Sequence, residues 1–149
     1  QREHLGWGIS QQTWNITDKI AAMDRSLREV SPTVDVIESH PELCFARLNR
    51  GYPIAHPKSG DTGRAARFAV LDTVLNGWAS IYNDACNEYY RKEVARDDIV
   101  DALVLCAAAQ QPLTSLPAQP PDDERGLPMR IVAPDIDPAW SRYVDLAER

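Results

Sequence analysis

The sequence predicts a helix-rich α/β domain, and three observations carry that prediction. Apolar residues recur at helical spacing over several long stretches, a single segment is strongly β-branched, and a proline-rich closing stretch holds one further short strand. At 149 residues and 44% hydrophobic content the chain is one domain's worth and can bury a sizeable core. We expect the domain over residues 1–133 and an extension over 134–149.

The first element is a helix. In "SQQTWNITDKIAAMDRSLREV", Ile16, Ile20, Met23, Leu27 and Val30 alternate spacings of four and three, one stripe of an amphipathic helix that Ser31-Pro32 ends. "TVDVIE" follows, β-branched at Thr33, Val34, Val36 and Ile37, with apolar residues on both faces as in an interior strand. Glu38 lies on the same side as Val34 and Val36, where the strand ends. His40 precedes Pro41 and is biased to an extended conformation.

The stretch "NRGYPIAHPKSGDTG" reads as a loop, and Thr62 as the N-cap of the helix after it. Phe68, Leu71, Leu75 and Trp78, then Tyr82, Ala85 and Tyr89, continue one stripe, with Asn76-Gly77 in its middle. Two helices breaking at Gly77 are expected, with the aromatic residues in the core. In "ARDDIVDALVLCAAAQ" a helix buries Leu103, Leu105, Cys106 and the alanines, with Asp97 as its cap. From Pro112 onward seven of the eleven prolines make a loop with one short strand at "MRIVA". The closing "PAWSRYVDLAER" can form a short helix that packs Trp140, Tyr143 and Leu146 on the body or on a partner.

Charge and cysteine usage narrow the function classes. A net charge of -6 argues against a broad basic surface tracking nucleic acid, though not against a local basic patch over a metal site. Cys44, Cys86 and Cys106 are odd in number and lack CxxC spacing, so a disulfide framework is not expected and a reducing, cytoplasmic compartment is. No apolar run approaches the roughly 20 residues of a membrane span, so no membrane partner is expected, and no signal peptide is read. The opening "QREHLGWG" lacks an initiator methionine, and truncation or processing is the expectation.

Two constellations point to chemistry. Asp98 and Asp101 share a helix face with carbons about 5–6 Å apart, and two carboxylates so placed repel unless a positive charge joins them. With Glu38 from the strand end they would suit one or two Mg²⁺ or Mn²⁺ ions, which prefer oxygen ligands. In the bland alternative Asp97 caps, Asp98 and Asp101 are solvated, and Glu38 ends a strand at the surface. The second constellation, "HPKSGDTGRAAR", offers Lys58, the amides of Gly60 and Gly63, a helix start, and Arg64 and Arg67 one turn apart, a set that suits an anion. It is not a Walker A loop, because Lys58 precedes the glycines, and a capped surface helix with solvated arginines is its alternative. His40 suits an acid, a base, a metal ligand or simple turn support. His56 is a weaker candidate, and Cys44 and Cys106 read as core residues.

In this order, "VIESHPELCFARL", "PKSGDTGRAARFAVL" and "RDDIVDALVLCAAA" resemble the predicted nucleases with a ribonuclease-H-like fold grouped as domain of unknown function 429. Glu38, His40, Pro41 and Glu42 match an E-x-H-P-E motif. Lys58, Gly63, Arg64 and Arg67 match a lysine loop with G-R-x-x-R, and Asp97, Asp98, Asp101 and Ala102 match D-D-x-x-D-A. The stretch "GLPMRIVAP" resembles the strand that closes the family's domain. The resemblance implies a metal-dependent nuclease, with Glu38 as the fourth-strand acid, Asp98 and Asp101 as the helix pair, and Mg²⁺ or Mn²⁺ held by the three. Lys58, Arg64 and Arg67 would hold substrate phosphates, with His40, Glu42 and Asp97 around them.

One departure stands out. The fold begins with a three-stranded meander whose first strand carries an aspartate, and no such strand precedes "TVDVIE". The sheet is therefore expected to be incomplete, leaving a hydrophobic edge that a second copy or another chain would cover. A non-catalytic assembly module, and binding of a nucleotide or small phosphorylated metabolite, are the two alternatives to the nuclease.

Overall fold

Five helices and a two-stranded antiparallel sheet form the described part of the structure, a computed structural model in which residues 10–29 and 35–135 are described. It is a mixed α/β arrangement dominated by helix. The chain divides into two compact units, Gln1–Val36 and Ile37–Arg149. No helix among the described residues is long and apolar enough to cross a membrane.

The first unit holds α1 (Gln11–Glu29), the helix expected from its stripe. Ser10 opens it, its Oγ accepting the Thr13 amide at 3.0 Å as an N-cap does. Ile16, Ile20 and Met23 are exposed. Val30 and the Ser31-Pro32 stop lie outside the described residues, as do Thr33 and Val34.

The strand expected at "TVDVIE" is not formed over its described residues 35–38. A strand needs a run of ladder pairs with a neighbour, and among the described residues this segment has none beyond a single bridge at its end. It touches the sheet through one parallel bridge, Ser39 to Val132. There the Val132 amide donates to the Glu38 carbonyl at 2.8 Å and the Ser39 hydroxyl to the Val132 carbonyl at 2.8 Å. Val36 and Ile37 are accordingly 47% and 43% exposed rather than buried on both sides.

The second unit opens with α2 (Pro41–Leu48), a helix the sequence reading passed over. Pro41 sits in its first turn, where a missing amide costs nothing, and His40 is the extended N-cap with φ -122 and ψ 121. Its Cys44 and Phe45 are wholly buried. Burial pushes the Cys44 thiol up, partly offset by the Ser39 hydroxyl 3.2 Å from its Sγ. All three cysteines are free thiols.

Next come α3 (Asp61–Val74) and α4 (Trp78–Glu88), separated at Gly77 as the sequence predicts. Gly77 has φ +76, a left-handed conformation that strains residues with a Cβ. Gly60, not Thr62, is the N-cap of α3, because the helix starts at Asp61. Phe68 packs against Trp78 and Tyr82 at centroid separations of 4.7 and 5.2 Å, and Trp78 Nε1 donates to Asp72 at 2.8 Å. Tyr89 follows the last turn of α4 and is exposed, so it is not the core residue its spacing suggested.

The central element is α5 (Arg96–Ala108), against which α2, α3 and α4 all pack. Its buried face runs through Ile99, Val100, Leu103, Val104, Ala107 and Ala108, whereas Leu105 is half-buried and Cys106 exposed. The helix is apolar nearly all round, so its periodicity does not announce which side finds neighbours. Ala95, not Asp97, is its N-cap, and no side chain caps it.

The sheet pairs β1 (Leu113–Leu116) with β2 (Ile131–Pro134), Leu113 opposite Pro134 and Leu116 opposite Ile131. The second strand lies within the expected region. The first falls where loop was expected: Pro112 and Pro117 flank four residues whose amide donors are intact, and pairing with β2 overrides the local proline signal. The expected helix near the C-terminus lies outside the described residues.

Candidate anion-binding cleft

The start of α3, the loop before it, the turn after α4 and the start of α5 enclose a cleft of about 330 Å³. Lys58, Arg64, Arg67, Arg91 and Arg96 line it with Asp97 and Asp101, while Ser59, Ala95 and Val100 complete the wall. Three of these segments come from separate parts of the sequence, and packing of α3 and α4 on α5 brings them together.

Lys58 bridges to α5. Its Nζ donates to Asp101 Oδ2 at 3.0 Å and lies 3.4 Å from Asp97 Oδ2. Asp97 and Asp101 are one turn apart, so one ammonium contacts both and offsets one of their two charges. The hydrogen bond to Asp101 raises the Lys58 pKa above the ordinary lysine value, with burial opposing and Asp97 adding to the rise. The other carboxylate oxygen of Asp101, Oδ1, is buried with no hydrogen-bond partner among the described residues.

Arg67 is 4% exposed, and every nitrogen of its guanidinium is engaged. Its Nη2 donates to both oxygens of Glu42 at 2.7 and 2.8 Å and its Nε to Oε1 at 3.1 Å. Nη1 donates to the Gly63 carbonyl at 2.9 Å and the His56 carbonyl at 3.2 Å. Arg64 is freer, paired among the described residues with Asp61 at 2.6 Å, whose side chain is 94% exposed. Arg96 donates to the Cys86 carbonyl at 2.7 Å and so closes the end of α4. Arg91 is exposed, and no ion pair or hydrogen bond of its side chain occurs among the described residues.

The residues singled out from sequence divide accordingly. Lys58, Arg64, Arg67, Asp97 and Asp101 meet in the cleft. Glu42 stands behind it, holding Arg67. Asp98 is exposed in the first turn of α5, Glu38 is exposed beside the sheet, and His40 is the exposed N-cap of α2; none of these three lines the cleft. Arg91 and Arg96 were not anticipated. Arg96 carried a signal, since a cation in the first turn opposes the helix dipole and so asks for a partner elsewhere. Arg91 carried none.

Carboxylate oxygens are the donors that Mg²⁺ and Mn²⁺ prefer, but the donor set here does not fit such an ion. No group of three or more His, Cys, Asp or Glu side chains among the described residues is arranged to hold a metal, and the Lys58 ammonium sits on the two carboxylates that do meet. What the arrangement can do is hold an anion. The forks of Arg91 and of Arg64, the latter paired with the exposed Asp61, suit the multiple acceptors of a phosphate, with Lys58 as a neighbouring point charge.

No curated protein and no solved structure matches the chain. The profile of the family described as "Protein of unknown function (DUF429)" matches residues 1–125, and with most of its length covered, the chain belongs to that family.

Proposed function

We propose that the cleft binds phosphate groups, and that the chain is the phosphate-holding part of a nuclease with a ribonuclease-H-like fold. The carrying observation is the concentration of one lysine and four arginines against two aspartates in a single cleft, on a chain whose net charge is -6. The lining carries five cations against two carboxylates, and such an excess of one sign draws in ligands of the other. Phosphodiester ligands match the arginine forks, and the motif order supports a nucleic acid over other anions. Mg²⁺ or Mn²⁺ on Glu38, Asp98 and Asp101 belongs to the same reading, but the described residues do not assemble that set. This chain's own contribution is therefore binding and orientation: Arg64 and Arg91 grip phosphate oxygens, and Lys58 holds the acidic turn of α5 beside them. Three free thiols support a reducing, cytoplasmic setting.

The test is calorimetric titration with pyrophosphate, a nucleoside monophosphate and a short single-stranded oligonucleotide. Arg64→Ala with Arg91→Ala is expected to weaken binding by at least about tenfold, since each charge-assisted hydrogen bond contributes roughly 1.5–3 kcal/mol. The oligonucleotide should show the steepest salt dependence. Binding of no probe, or binding indifferent to both substitutions, would sink the proposal, while tight binding of the monophosphate alone would favour a small phosphorylated ligand.

A second reading rests on Ile37, exposed two residues before the Ser39 bridge to β2: a second copy or another chain covers this edge. A concentration-independent monomer in light scattering, with no partner strand added, would count against self-association.

A further inference from the structure

We propose that Arg67 is a positioning residue: it ties the loop carrying Lys58 to the core helix α2, and thereby sets Lys58 on Asp97 and Asp101. The inference rests on the phosphate-binding reading of the cleft, and it assigns to Arg67 a different task from holding ligand. One edge of its guanidinium is clamped by Glu42 in the first turn of α2. Its plane lies 5.6 Å from the ring centroid of Phe45, which is wholly buried on the same helix. The remaining nitrogen reaches across to the His56 carbonyl, two residues before Lys58, and to Gly63 at the start of α3. The loop is thus held at a backbone atom by a side chain that is itself fixed by the core.

Gly63 completes the clamp. A Cβ there would collide with the Pro57 carbonyl, so only glycine lets the loop lie this close to the helix. Further on, the Gly60 amide donates to the Pro57 carbonyl at 3.2 Å and the Arg64 amide to the Gly60 carbonyl at 2.9 Å. Lys58 sits inside this short, closed segment and meets α5 at 3.0 Å. No donor of Arg67 is left for a phosphate, although the side chain lines the cleft.

The test compares Arg67→Lys, which keeps the charge and loses the fork, with the unaltered chain and with Arg64→Ala. Contact of Lys58 with Asp97 or Asp101 is read by zero-length carbodiimide cross-linking and peptide mass spectrometry, and binding by titration with pyrophosphate. In Arg67→Lys the Lys58 cross-link should largely disappear and pyrophosphate affinity fall by about tenfold despite the conserved charge. In Arg64→Ala affinity should fall while the cross-link persists. Retention of the cross-link and of affinity in folded Arg67→Lys would overturn the proposal. Loss of affinity with an intact cross-link would also overturn it, showing that Arg67 meets the ligand directly. Should Arg67→Lys fail to fold, Gly63→Ala presses on the same loop with Arg67 intact, and the same loss of cross-link is expected. If the unaltered chain binds no pyrophosphate, the phosphate reading fails, while the cross-link still decides the role of Arg67.

Discussion

Phe45→Ala is expected to lower the free energy of unfolding by about 3–5 kcal/mol, the range for removing a buried aromatic ring from a packed core. Phe45 is wholly buried in a cluster with Cys44, Leu71 and Val104, and its ring lies under the Arg67 guanidinium. Truncation opens a cavity between α2 and α5, and the guanidinium loses the surface it rests on. Domains are typically stable by only about 5–15 kcal/mol, so the variant should unfold at markedly lower urea concentration. Phe45→Leu, which refills most of the volume, should recover much of the difference. A midpoint for Phe45→Ala within error of the unaltered chain would show that this core is not as packed as described.

The second large effect is expected at Glu42. Glu42→Ala leaves Arg67, 4% exposed, without its bidentate partner, and removing one member of a buried pair strands the other charge. Because the Glu42 side chain is itself 40% exposed, water can partly replace it, and we expect a loss of about 2–3 kcal/mol rather than the full cost of a sealed pair. Glu42→Gln keeps one carbonyl acceptor and should lose less. Adding Arg67→Met to Glu42→Ala should restore part of the loss, because the stranded charge is then gone. Denaturant midpoints for the four chains check this, and a double variant no better than Glu42→Ala alone would refute the stranded-charge account.

Much of the helical architecture was legible in the residues, and the reason is periodicity. The stripes of α1, α3 and α4 repeat within each element, and Asn76-Gly77 is a local signal whose meaning needs no tertiary context. The short elements behave differently. Helix α2 hides because "PELCFARL" is too brief for a period to emerge, although Pro41 before Glu42 is a helix-start pattern. Val36 and Ile37 are β-branched as in a strand, yet pairing is a property of neighbours and the one bridge falls at Ser39, after them. At the site, the lysine loop and the acidic turn were each visible, but their geometry was not. The carboxylates that meet are Asp97 and Asp101, one full turn apart, rather than Asp98 and Asp101, because Lys58 arrives from α3's side of the helix. The spacing of Arg67 from Arg64 was legible, whereas its partner Glu42, on another helix, was not.

The central helix gives the cleft walls of unequal softness. Asp101 lies past the uncapped first turn of α5, whose other faces are gripped by three helices, so its backbone can open only when much of the domain opens with it. Arg91 instead sits in a short turn between α4 and α5 whose neighbours Tyr90 and Lys92 are exposed. Amide hydrogen exchange should therefore be slow at Asp101 and fast on the arginine wall. If the cleft binds phosphate as proposed, most of the entropy of ordering the contact falls on the arginine wall, and a ligand of slightly different shape would be met by Arg91 moving while the Asp101 carboxylate stays in place.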